Sequence, residues 1–242
     1  MSATTESLPA HPFPLETLTI QGPAGSHAPI RIAIPRQERF RADEILGQAE
    51  YALPTSRSHG GPLTVIDAGA NVGLFALYMK FVDPQATVHC FEPVPTTLGL
   101  LEHNVGSLSR VHVHPFALGQ GEREVEITLS RSNTGANSFK GTCGDPGEGC
   151  VISCRDAAAE FDALGLDRLD VLKVDTEGCE VEILESLGDR LDAVDYVLLE
   201  YHSDDDRRRL DALLPQFKLF ACSSRVVDCG VVKYMHRRLL GG

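Results

Sequence analysis

The spacing of hydrophobic and polar positions changes period repeatedly along the chain, and each change marks an element. Residues 63–69, LTVIDAG, form a continuous apolar run ended by glycine, the pattern of a strand buried on both faces. Behind it, NVGLFALYMKF carries apolar residues at helical spacing until Asp83-Pro84 stops it. ATVHCFEP (86–93) reads as a second strand. Thr96 or Thr97 can cap the helix that follows, which sets Leu98, Leu101 and Val105 on one face. VHVHPFALG (111–119) reads as a third strand, and the strict alternation of REVEITLS (123–130) predicts an antiparallel, half-exposed one. LDVLKVD (169–175) with the helix CEVEILESL, and VDYVLLEYH (194–202) with the helix DDRRRLDALLPQ, repeat the strand–helix unit. FKLFACS and GVVKYMHR close the chain as a hairpin turning around Asp228 and Gly230.

Strands alternating with helices predict an α/β fold: five parallel strands joined by right-handed crossovers, with an antiparallel hairpin at the end. Ligands of such sheets bind beyond the carboxyl ends of the strands, near the point where strand order reverses. The polar residues at which apolar runs stop are therefore the candidates for chemistry: Asp67, Glu92, Asp175, Glu177, Glu200 and His202. One acidic residue at a strand end is ordinarily a cap or a solvated loop position. Five carboxylates on one edge argue for a site.

Composition narrows the partners. At 242 residues the chain can bury a substantial core as one large or two small domains, and 43% hydrophobic with 23% charged residues is ordinary for a globular protein. A net charge of -12 and a pI of about 5.1 argue against a nucleic-acid or anionic-membrane partner, since binding a phosphate backbone depends on a basic footprint. Asp204-Asp205-Asp206 adjoins Arg207-Arg208-Arg209, so these charges cancel at a solvated helix start. No window approaches about 18 uninterrupted apolar residues, and the first residues lack a basic region followed by an apolar one, so a cytoplasmic protein is expected. Seven cysteines, an odd count scattered from Cys90 to Cys229, suit free thiols. The cluster Cys143, Cys150, Cys154 misses the tight spacing of zinc modules.

The stretch VIDAGANVGLF (65–75) is a turn nearly free of side chains behind a buried strand, which lets backbone N–H groups and a helix start approach a ligand closely. Counted from Gly69, the later glycine positions of the dinucleotide fingerprint hold Asn71 and Leu74, and no Gly-Lys-Ser/Thr of a phosphate loop occurs. Glu92 ends the next strand, where an acid can chelate a ribose diol. The implied ligand carries a ribose and no pyrophosphate; an amino acid joined to a nucleoside fits.

Five stretches in order, DAGANVG at Asp67–Gly73, FEP at Phe91–Pro93, ALG at Ala117–Gly119, LKVDTEGCEVEIL at Leu172–Leu184 and LLEYH at Leu198–His202, resemble the FkbM-type methyltransferases. The resemblance runs from about residue 63 to the C-terminus, and its most specific part is the block Lys173–Glu180. It implies S-adenosyl-L-methionine as cofactor on a seven-stranded, Rossmann-like class I methyltransferase sheet. By that resemblance Asp67, Gly69, Ala70 and Asn71, with Gly73, line the methionine half; Glu92, next to Pro93, holds the ribose; Ala117 and Leu118 flank the adenine; Asp175 stands near the amino group and the transferable methyl. Residues 1–62, with strands LTIQ and PIRIAIP and the amphipathic ADEILGQAEYAL, would form an extension over the active site; 63–242 would be the catalytic domain.

Methyl transfer from a sulfonium is an in-line displacement, so the protein chiefly aligns the reactants. A hydroxyl acceptor also needs a proton acceptor, for which His202, Glu177 and Glu200 are the candidates, His202 alternatively being a satisfied core histidine. Asp175, Glu200 and His202 could also gather Mg²⁺, which prefers oxygen ligands; a metal is possible here and none is assigned. His112 and His114 share a strand face that reads as packed or core, His89 and His103 are given no role, Glu182 and Glu185 read as solvated, and Glu180 as structural. Residues 130–150 form a glycine-rich loop from which Asn137, Ser138 and Phe139 are expected to fold over the cofactor. The expected function is O-methylation of a small molecule, a sugar or another natural product of secondary metabolism. An N- or C-methyltransferase, and a cofactor-binding partner protein without catalysis, remain as alternatives.

Overall fold

The computed structural model describes residues 8–21, 29–48, 50–54, 60–131, 134 and 146–240. The chain opens with an antiparallel pair, β1 (Leu15–Ile20) and β2 (Ile30–Pro35). Arg36–Glu38, α1 (Arg39–Ala42) and a wider turn of helix over Asp43–Gly47 follow, so the amphipathic stretch is helical but broken into short pieces. The rest of the fold is β3 (Thr64–Ala68), α2 (Leu74–Val82), β4 (Thr87–Phe91), α3 (Pro95–Val105), β5 (Val111–His114), β6 (Ala117–Gly119), β7 (Arg123–Ser130), β8 (Pro146–Asp156), α4 (Ala157–Ala163), β9 (Leu169–Val174), α5 (Glu180–Leu187), β10 (Val194–Tyr201), α6 (Asp204–Leu213), β11 (Phe217–Val226) and β12 (Cys229–His236).

Seven strands form one sheet in the order β11-β12-β10-β9-β3-β4-β5. The five expected strands run parallel, and the terminal pair β11–β12 is antiparallel. The chain starts the sheet at β3, moves outward through β4 and β5, and returns to the other side of β3 as β9. Strand order therefore reverses between β3 and β9, where Asp67 lies opposite Lys173 and Ala68 opposite Val174. Successive residues of one strand serve opposite faces: Ile66, Leu172 and Val197 pack into one core cluster, Val65, Val171 and Leu198 into the other. Burial on both faces is why these strands read as unbroken apolar runs rather than as alternation.

Three local expectations change. Residues 111–119 are two strands, not one: Pro115 has no N–H to continue the ladder, Phe116 N donates back to His114 O at 3.0 Å, and Ala117–Gly119 joins a separate three-stranded sheet in the order β6-β8-β7. β8 has no counterpart in the sequence reading, because its glycine-rich start was assigned to the loop. Neither threonine caps α3; Pro95 occupies its first turn, where a missing N–H has no consequence. The start of α6 is as expected, with Ser203 Oγ accepting from Asp206 N at 3.0 Å and Arg207 and Arg208 pairing with Asp211 and Asp204.

The N-terminal pair is fixed to the sheet's helices. Ile32, Ala33 and Ile34 bury against Val72, Leu74, Leu77 and Leu100. Asn104 on α3 clamps them: its Oδ1 accepts from Ala33 N, and its Nδ2 donates to Ala33 O and Val72 O, each at 2.8 Å. No helix among the described residues is long and apolar enough to cross a membrane. Six cysteines, Cys90, Cys150, Cys154, Cys179, Cys222 and Cys229, are free thiols; Cys143, like Asn137, Ser138 and Phe139 of the expected substrate loop, lies outside the described residues.

Candidate active site

An open cavity of about 880 Å³ lies at the carboxyl ends of β3, β4 and β9. Its floor is the turn Gly69–Val72; Glu92, Pro93 and Val94 form one wall, Ala117, Leu118 and Ile127 an apolar one, and Asp175, Thr176 and Glu177 the opposite side. Arg41 and Ile45 from the N-terminal segment and Thr134 complete it. Of the residues named from sequence, Gly69, Ala70, Asn71, Glu92, Pro93, Ala117, Leu118, Asp175 and Glu177 line this space. Ser138 lies outside the described residues.

Four backbone amides of the turn are engaged within the protein. Gly69 N and Ala70 N both donate to Phe91 O at 3.0 Å, Gly73 N donates to Ala70 O at 2.9 Å, and Asn71 N to Glu92 Oε2 at 3.0 Å. Gly69 is required by packing: with φ +76°, a Cβ there would stand 1.8 Å from the Asp175 carbonyl oxygen. Gly73, at φ +93°, starts α2 against Val105 and Leu101 and does not line the cavity.

Asp67 also sits behind the cavity, not in it. It is fully buried within β3, with Lys173 Nζ at 3.0 Å from its Oδ1. The same ammonium donates to Gly69 O at 2.7 Å and lies 3.7 Å from Asp175 Oδ2, so one lysine ties the turn to both strand ends. Burial alone would push Lys173 down; the charges of Asp67 and Asp175 outweigh it and hold the group cationic. The Asp175 carboxyl is likewise pulled below its ordinary range, because Lys173, Arg41 and His202 outweigh its burial.

Glu92 is buried, and burial raises its carboxyl to about 7 although Val94 N and Asn71 N both donate to it. Glu177 faces the cavity at φ +57°, a left-handed conformation uncommon for a side-chain-bearing residue. His202 does not line the cavity; its Nε2 lies 3.1 Å from Glu177 Oε2, with Glu180 Oε1 3.7 Å from Nδ1. Burial would lower the imidazole, but the neighbouring Glu177, Glu180 and Asp175 raise it to about 9. His202 is therefore a cation at neutral pH, held behind Glu177. Glu180 is structural as expected, its Oε1 accepting from Thr176 N at 2.9 Å, Thr176 Oγ1 at 3.1 Å and Gly178 N at 3.1 Å.

Glu200 is buried and does not line the cavity; it hydrogen-bonds the side chain of Asp175, and Cys229 Sγ lies 3.7 Å from its Oε1. Asp175, Glu177 and His202 bring ligand atoms within 4.8 Å of one another, as do Glu200, His202 and Cys229, so the three residues considered for Mg²⁺ are divided between two clusters. His89 is not isolated: its Nδ1 meets His114 Nε2 at 3.1 Å and its ring stacks on His112. Burial lowers His89 to about 4.

Thr134 and Arg41 of the cavity, and Glu38 beside them, had no part in the sequence reading. Thr134 donates to Glu38 through its N at 2.6 Å and its Oγ1 at 2.7 Å, and Oγ1 also reaches Asn71 Oδ1 at 3.1 Å. Glu38, Thr134 and Asn71 thus join the N-terminal segment, the loop after β7 and the glycine turn. Arg41 lies one turn beyond Glu38. Both precede the amphipathic stretch ADEILGQAEYAL, and no local signal marks their meeting with residues far along the chain.

Among solved structures, the fibrillarin pre-rRNA processing protein of Methanococcus jannaschii superposes with a TM-score of 0.51 at 12% identity, covering 94% of this chain and 84% of that one; the fold is that of class I methyltransferases. A family model, the methyltransferase FkbM domain, matches residues 67–221, and the chain belongs to that family. Methyltransferase 1 of Beauveria bassiana is 31% identical over 157 residues, 56% of this chain and 63% of that protein. Hexuronic acid methyltransferase AglP of Haloferax volcanii is 30% identical over 154 residues, 63% of this chain and 62% of that protein. The 2-O-methyltransferase NoeI of Sinorhizobium fredii is 22% identical over 188 residues, 69% of this chain and 77% of that protein. The chain thus spans less than two thirds of the length of the first and second of these.

Proposed function

We propose that the protein transfers the methyl group of S-adenosyl-L-methionine to a hydroxyl of a small molecule, with a sugar hydroxyl the leading candidate. One observation carries this reading: the cavity at the switch point sets three carboxylates, Glu92, Asp175 and Glu177, beside an apolar wall of Ala117, Leu118 and Ile127. A nucleoside with a cationic sulfonium and an ammonium group suits that combination. The ring meets the apolar wall, the ribose hydroxyls meet Glu92, and the positive end meets Asp175. Membership of the FkbM family, and relatives named for methylating a hexuronic acid and a 2-O position, support the acceptor class. When bound, the cofactor supplies an electrophilic methyl group; the chain's own residues orient the reactants and handle the proton.

Glu177 is the group that takes the acceptor's proton. It faces the cavity, burial raises its carboxyl, and His202 holds it in place from behind. A carboxylate raised toward neutrality is a stronger base than an exposed one. His202, charged and outside the cavity, is a positioning residue rather than the base. Glu200, buried with its carboxyl near His202 and hydrogen-bonded to Asp175, helps to fix both.

The test is transfer of labelled methyl from S-adenosyl-L-methionine to a panel of neutral sugars, uronic acids and phenols. Label in a sugar product with an alkali-stable ether linkage supports the reading. Cofactor binding without transfer to any hydroxyl, but with transfer to an amine panel, would overturn the acceptor assignment.

A further inference from the structure

Arg41 faces the cavity from α1. None of the described residues accepts a hydrogen bond from it, and its Nε is buried without a partner. Its one ion pair, to Glu38 Oε2, is 3.8 Å long, and both Glu38 oxygens already accept from Thr134. A guanidinium offers five donors in a planar fork, and burying an edge of it with no acceptor is costly unless a ligand provides one.

The other positive groups around the cavity are engaged. Lys173 is held by Asp67 and Gly69 O, and the amides of Gly69, Ala70, Asn71 and Gly73 are bonded within the protein. Arg41 lowers both the Asp175 and the Glu177 carboxyl by its charge, so it stands near the reacting end without pairing directly with either. Asn104 and the Glu38–Thr134 bonds fix the segment that carries it.

We propose that Arg41 binds a carboxylate of a ligand in this cavity, which makes the N-terminal segment part of the binding site; the assignment rests on the methyltransferase reading above. Two sources share the chemistry: the amino-acid end of the cofactor, and an acidic group on the acceptor such as that of a uronic acid. Two-point pairing of guanidinium with carboxylate suits either one, and lysine would not reproduce it.

Calorimetry on wild type, R41M and R41K separates the cases. S-Adenosylhomocysteine carries the carboxylate; 5′-methylthioadenosine keeps the nucleoside and sulfur without the amino acid. If the cofactor is the source, R41M weakens S-adenosylhomocysteine binding by about 10- to 100-fold and leaves 5′-methylthioadenosine unchanged. If the acceptor is the source, both nucleosides bind R41M as they bind wild type. D-Glucuronate binding to the S-adenosylhomocysteine complex is then lost, while D-glucose binding does not change. R41K should fall between wild type and R41M, and it carries the same comparison if R41M does not fold. Unchanged S-adenosylhomocysteine and glucuronate titrations in both variants would overturn the assignment, as would an equal weakening of both nucleosides. Failure of wild type to bind either nucleoside would instead overturn the cofactor reading, and Arg41's role with it.

Discussion

The floor of the cavity and its rim are built by opposite means. On the floor, Lys173 and four turn amides meet acceptors within the protein: Lys173 reaches Asp67, Asp175 and Gly69 O, and the amides of Gly69, Ala70, Asn71 and Gly73 reach Phe91 O, Ala70 O and Glu92. On the rim, Arg41 donates to none of the described residues and His202 stands charged beside a carboxylate that opens to the cavity. A floor satisfied in advance keeps its shape whether or not a ligand is present. A rim with unused donors and shifted titrations draws its order from what binds. Shape and chemistry are thus assigned to different residues, and substitutions in the two regions should fail differently.

The largest effect is expected on the floor. G69A places a Cβ against the Asp175 carbonyl at a positive φ, and should lower stability by roughly 4 kcal/mol or more in urea unfolding. K173M comes next: it leaves Asp67 a buried, unpaired acid and should remove about 3–5 kcal/mol. A K173M protein of wild-type stability would show that the floor does not depend on this ion pair. N104A should remove about 1–3 kcal/mol by leaving Ala33 N unpaired, and limited proteolysis should then cut near β1 and β2 first.

Rim substitutions should show chiefly in pH dependence. With His202 gone, burial raises the Glu177 carboxyl further, so in H202Q the rising limb of the pH–rate profile should move to higher pH. An unmoved limb would remove Glu177 as the base. The imidazole is raised from 6.5 to about 9, so the stability it contributes is fully present below 6.5 and is lost as pH rises through about 9. H202Q should lack that loss. The smallest effect concerns Glu92, whose carboxyl lies at about 7: S-adenosylhomocysteine affinity should rise as pH increases through that value, and E92Q should flatten the curve.

The same contrast explains what the sequence made legible. The sheet could be read because burial on both faces leaves unbroken apolar runs such as LTVI and YVLL. Glu92, Asp175 and Glu177 could be read because strand ends point to the ligand edge in this architecture. Asp67 ends an apolar run as they do, yet it turns inward to Lys173, and only three-dimensional pairing distinguishes the two cases. Glu38 and Thr134, 96 positions apart, have no local signal of their meeting. His89 looked isolated because its partners His112 and His114 lie on the neighbouring strand. β8 was hidden by a glycine-rich start whose only promise was a loop.

The central claim is that the cavity at the β3/β9 switch point binds a sulfur nucleoside. Calorimetry of the purified protein with S-adenosylhomocysteine, with NAD⁺ as the comparison and each run with and without Mg²⁺, tests it most directly. The account predicts roughly micromolar binding of the first and none of the second, about -8 kcal/mol against no measurable heat. No binding of S-adenosylhomocysteine under either condition would contradict it.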